Sequence, residues 1–148
     1  MLIAVAIAAT PVSTAPDAAA EIARALTPRE NFRSMILMTA DHDNAFEEIA
    51  KSVGAPRADA LLAEAAEEIS FRYADKWEAG LAAAYRSTLN PTELADALAA
   101  IRRADRAALA PVSVRVGAAF YRNSQHLLRQ ATNDAVRHAA EEAERHGS

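Results

Sequence analysis

The strongest periodicity in the chain lies between Asp59 and Thr88. Leu62, Ala66, Ile69, Tyr73, Trp77, Gly80 and Ala84 recur at steps of three and four. At about 100° per residue those steps gather them on one narrow face of a helix. Phe71, Leu81 and Tyr85 fall outside that sector, so a second face packs as well, and the segment is predicted to be one long central helix. Helix starts are marked on either side of it. Thr27-Pro28-Arg29-Glu30 combines a capping hydroxyl, a proline suited to the first helical position and an acid that can close a capping box. Phe32, Met35 and Ile36 then follow at helical spacing. The polar run Asp41-His42-Asp43-Asn44 breaks that helix before Phe46, Ile49 and Val53 resume it, and Gly54 with Pro56 stops it.

Asn90-Pro91-Thr92-Glu93 repeats the start signature. It opens a helix with the stripe Leu94, Ala97, Leu98, Ile101, Ala104 and Ala108, expected to end before Pro111. The last helix is expected from about Ser113 to Arg145. Short links between helices predict antiparallel neighbours, hence a single all-α bundle of about five helices around the Asp59–Thr88 segment. The bundle is assigned to residues 21–148, one domain with no internal linker.

Residues 1–20 read differently. Met1–Ala9 is an unbroken apolar run of nine residues, too short for a bilayer, which takes about 20. Pro11 ends it, and small residues follow through Ala15. This is the shape of a secretory signal segment, with cleavage after Ser13-Thr14-Ala15, which the following Pro16 hinders, or after Ala18-Ala19-Ala20, although no basic residue precedes the run. The expected address is export, to the periplasm or medium of a bacterium, and the chain is not expected to be an integral membrane protein.

Tyr85, the turn Leu89-Asn90-Pro91-Thr92-Glu93-Leu94 and the helix-breaking Pro111 together resemble a family of secreted bacterial helical domains of unknown function. Its members carry a tyrosine, then a turn of the type Phe-Thr-x-x-Glu-Leu, then a proline before the last helix. The resemblance spans about Asp59 to Ala140. Where the family continues with Phe-Tyr-x-Ser-Pro-x-Gly, this chain has Ala100-Ile101-Arg102-Arg103-Ala104-Asp105-Arg106. The resemblance implies an exported helical domain and brings no catalytic residue with it.

Composition agrees with helices and removes most chemistry. Hydrophobic residues make up 51% of the 148, enough for a core. There are 39 alanines but only 4 glycines and 5% aromatics, which argues against sheets and glycine-loop nucleotide folds. A net charge of −4 does not suit a nucleic-acid partner. With no cysteine there is no disulfide, thiolate ligand or cysteine nucleophile. No Gly-x-Ser-x-Gly or phosphate-binding loop occurs. A helical di-iron site needs Glu-x-x-His, but Thr39, Asn123, Ala135 and Ala143 stand three residues before the four histidines. No catalytic residue, cofactor or tight metal is therefore expected.

Two minor candidates remain. Asp41, His42 and Asp43 could ligate a divalent cation or act as acid and base in a small periplasmic enzyme, if a loop turned them together. Their simpler role is to break one helix and cap the next. Phe71, Trp77 and Tyr85 could line a pocket in a carrier of apolar ligands.

The clearest asymmetry is electrostatic. From Ile101 to Arg137 the chain carries a net +5, so the remainder carries −9. On the last helix Arg115, Arg122, His126, Arg129, Asn133 and Arg137 fall within about 80° of one another, opposite Val116, Phe120, Leu127, Ala131 and Ala135. Such a stripe either pairs with acids of the long helix or docks an acidic protein or an anionic lipid surface. The leading expectation is a non-catalytic exported protein that binds a partner through Arg115, Arg122, His126 and Arg129.

Overall fold

Four short polar side chains fix where helices begin. Asp17 accepts from the amides of Ala19 and Ala20, Asp43 from Ala45, Asn90 from Glu93 and Asp105 from Ala108, each satisfying a donor that a first helical turn leaves unpaired. The computed structural model describes residues 17–26 and 28–147. The signal segment lies outside these apart from its last four residues, and Thr27, the expected cap at Pro28, lies outside them too.

The described residues form seven helices and no strand: α1 Ala18–Ala25, α2 Pro28–Ala40, α3 Asn44–Val53, α4 Ala55–Arg72, α5 Ala74–Thr88, α6 Pro91–Arg102 and α7 Arg106–His146. The all-helical class is as predicted, and so are the break at 41–43, the stop at Gly54 and the capping box at Asn90, where Glu93 also accepts from the Asn90 amide at 3.3 Å. The count of five is not. The predicted long helix is two, α4 and α5, interrupted at Tyr73. The amide of Tyr73 still bonds to Ile69 and that of Trp77 to Tyr73, at 3.1 and 3.0 Å, so helical phase passes through the break. A hydrophobic stripe records phase and not straightness.

The second correction concerns the end of α6. The chain reverses at Arg103–Asp105, well before Pro111. The amide of Asp105 bonds to Ala100 and that of Ala104 to Ile101, at 2.9 and 3.0 Å, the double closure that usually carries glycine at its left-handed residue. Here that residue is Ala104, with φ +56°, so no glycine marked the stop. Pro111 sits inside α7 at its sixth residue. There it forfeits a single ladder bond, just after the turn whose amides are unpaired in any helix.

At 1.5 Å per residue α7 is about 60 Å long, and the other helices lie along it. Tyr73 reaches Asp134 and Glu68 faces His138, so α4 and α5 run antiparallel to α7. Arg33 pairs with Glu67, and the Arg29 guanidinium lies over the ring of Phe71, so α2 is antiparallel to α4. It follows that α2 and α7, which no short link joins, run in the same direction. One core joins α2, α3, α4, Trp77 at the start of α5 and the C-terminal half of α7; the other joins α1, the rest of α5, α6 and the N-terminal half of α7. Phe120 packs against both. Trp77 sits between Phe32, stacked at 4.2 Å, and Phe120, edge-on at 4.7 Å.

Candidate functional site

The basic stripe divides into two groups. Arg115 is committed to the fold: it donates to Glu93 Oε2 at 2.6 Å and to the Thr88 carbonyl at 3.2 Å. The Glu93 carboxyl is held below the usual carboxylate range, first by Arg115 and then by the Asn90 amide. Arg115 thus clamps α7 onto the capping box of α6. Arg137 pairs with Asp134 one turn away on its own helix. Arg122, His126 and Arg129 are exposed, and among the described residues none of the three has an ion-pair or hydrogen-bond partner. Two of the acids of α4 are used elsewhere, Glu67 by Arg29 and Arg33 and Glu68 by Arg72 and His138, while Asp59 and Glu64 are exposed.

Asp41, His42 and Asp43 do not converge. Asp43 spends its carboxylate on the start of α3, and Asp41 and His42 face solvent. Among the described residues no three His, Asp or Glu side chains form a cluster fit for a metal ion. Phe71 is 60% exposed, beneath Arg29, and takes no part in a pocket with Trp77 and Tyr85. Those two do line a cavity of about 240 Å³ with Leu26, Val116 and Phe120.

A second cavity of about 190 Å³ adjoins it and shares Asn31, Trp77, Gly117 and Phe120 with the first. Together they form a groove between α2 and α7. Trp77, Phe120 and Leu128 supply its floor. Asn31 and Met35 wall it on α2, and Tyr121 and Gln125 wall it on α7. Sequence reading missed this groove, although Val114, Gly117, Tyr121 and Gln125 recur at helical spacing beside the basic stripe. Their face was neither the apolar core nor the charged back, so nothing singled it out.

Two buried side-chain polar atoms, one of them on the groove's floor at Trp77, are unsatisfied. The indole nitrogen of Trp77 and the hydroxyl of Thr132 have no partner. Tyr73, in contrast, donates to Asp134 Oδ2 at 2.6 Å and accepts from Gln130 at 3.3 Å. That carboxylate, and secondarily burial, push the Tyr73 phenol up from its ordinary range. Among the described residues no helix is long and apolar enough to cross a membrane. Set against known proteins, the chain matches no family model, no curated protein and no solved structure.

Proposed function

We propose that this chain is an exported, non-catalytic domain that binds an acidic protein partner through the outer face of α7. The observation that carries the reading is that Arg122, His126 and Arg129 share one exposed face with no partner among the described residues, while the cations on either side, Arg115 and Arg137, are paired. A protein fits better than a lipid surface. Each basic residue contributes about 1 kcal/mol at an anionic membrane, so two arginines on a chain of net charge −4 hold it there weakly. Exposed Tyr121 beside the arginines supplies the residue types that anchor protein interfaces. Of the features behind the resemblance to exported helical domains, Tyr85 and the Asn90–Glu93 turn stand, whereas Pro111 lies inside α7 and does not precede the last helix.

The test is an Arg122→Glu/Arg129→Glu variant, compared with wild type by thermal melt and by pull-down from the envelope fraction at low and high salt. Normal folding with loss of a salt-sensitive association is expected. A folded variant that keeps every association rejects the reading, and retained binding to anionic liposomes alone transfers it to lipid. For export, cleavage after Ala15 leaves the Asp17 cap and fully buried Ala19 in place, whereas cleavage before Glu21 removes both. N-terminal sequencing of the native protein is expected to find a start near Pro16 or at Glu21, and the retained Asp17 cap favours a start upstream of Asp17.

A further inference from the structure

We infer that the partner presents an amphipathic helix with an acidic flank, seated in the groove between α2 and α7; this rests on the acidic-partner reading above and names what the groove holds. Three independent observations converge on that groove.

The first is where apolar surface is left open. Five large apolar side chains are exposed among the described residues: Leu26, Met38, Phe71, Val114 and Tyr121. Phe71, with the Arg29 guanidinium over one side of its ring, lines neither cavity of the groove. Leu26 and Tyr121 line the two cavities of the groove. Val114 precedes Tyr121 by two turns on the same ridge of α7, and Met38 continues the Asn31–Met35 ridge of α2. Exposed apolar residues scattered singly need no explanation, but a row along one groove marks an interaction surface.

The second is Gly117. It lies inside α7, exposed, and lines both cavities. A Cβ there would meet nothing within 4 Å. Neither backbone nor internal packing asks for glycine, and alanine is the better helix former. What glycine provides at this point is close approach for a second backbone. Gly80 differs, because a Cβ there would touch Phe120 and Ser124 at 3.5 Å.

The third is charge. Arg122 and Arg129 flank the α7 wall seven residues apart, about 10 Å along the axis, with no carboxylate among the described residues on them. A helix lying along α7 meets both when it carries acids two turns apart beside an apolar stripe at i, i+3 or i+4, and i+7. The apolar stripe seats over Phe120, Trp77 and Leu128, and its backbone crosses at Gly117.

The experiment is selection of random 16-residue displayed peptides on the full wild-type chain, with the enriched peptides then measured on each variant. Gly117→Ala and Gly117→Leu are first checked by thermal melt, and Gly117→Ala is expected to melt higher than wild type. Enriched peptides are expected to show the apolar helical period with Asp or Glu two turns apart. Their affinity is expected to fall at least tenfold on Gly117→Leu and on Arg122→Glu/Arg129→Glu. Replacing their acids with Lys is expected to restore binding to the latter. Helical-period peptides that ignore the charge reversal sink the acidic-partner reading and keep the groove as a helix site. Acidic peptides without helical period that bind Gly117→Leu equally keep that reading and overturn this one. Absence of enrichment overturns it too, as does a dimer that Gly117→Leu dissolves, or saturable filling of the groove by decanoate read through Trp77.

Discussion

Replacing Trp77 with Phe tests whether the indole N–H under the groove is as isolated as the structure places it. Trp77 is 1% exposed and its Nε1 has no acceptor. Shrinking the ring removes roughly 40 Å² of apolar contact, about 1 kcal/mol at 25 cal/mol per Å². The space left behind costs about another 1 kcal/mol at ~24 cal/mol per Å³ for ~40 Å³. Against this, the substitution deletes a buried donor whose unsatisfied state costs about 1–3 kcal/mol. The stack on Phe32 and the edge contact with Phe120 can persist with a phenyl ring. The net effect should therefore lie between a loss and a gain of about 1 kcal/mol, whereas Trp77→Ala should lose about 3–5 kcal/mol. Urea unfolding followed by far-ultraviolet circular dichroism is the assay, because Trp77 is the sole tryptophan. A loss near 3 kcal/mol for Trp77→Phe would refute the reasoning, since the N–H would then have an acceptor in the folded chain. Thr132→Val is the companion variant: its hydroxyl is also unpartnered, so near-isosteric removal should be neutral or stabilising.

The two left-handed residues should respond in opposite senses. Gly54 has φ +89° and ψ 148°, a region nearly restricted to glycine, so Gly54→Ala should destabilise by about 1–3 kcal/mol through backbone strain alone. Ala104, at φ +56°, should gain about 0.5–1 kcal/mol as Ala104→Gly once the added freedom of the unfolded chain is subtracted; a loss would contradict the helix end drawn here. Asn90→Ala should cost about 1 kcal/mol in chemical denaturation, and a change of a few tenths would mean the capping box does not hold in solution. At high pH, Tyr73 is raised by Asp134 and by burial, and Tyr85 by burial. A raised folded value means stabilisation that is complete below the ordinary 10.0 and lost as pH climbs through the folded value. The urea midpoint should fall above about pH 10, less steeply in Tyr73→Phe; an equal slope would exclude Tyr73 as a source.

The candidate site was legible only in part. The basic stripe was visible because Arg122, His126 and Arg129 share a phase on one helix, and that phase is local. Which of its members were spoken for was not visible: Arg115 is occupied by Glu93, on another helix. The groove was less legible still, because Asn31, Met35, Trp77 and Gly117 come from three helices and share a wall only after those helices pack.

Caps, stops and the apolar stripes are short-range chemistry, so Asp43, Gly54, Asn90 and the helical class could be read from neighbours in the chain. The path of the helices in space could not. Tyr73 interrupts the long stripe without changing its phase, and its hydroxyl finds Asp134 on α7. Ala104 closes α6 in a conformation that its own identity disfavours, held by bonds to Ala100 and Ile101 and by the packing around them. Sequence determined that this chain is a set of amphipathic helices with a cationic back. Tertiary structure decided which cations stay free and where two helices part to leave a groove, because those depend on distances between residues far apart in the chain, which no local pattern records.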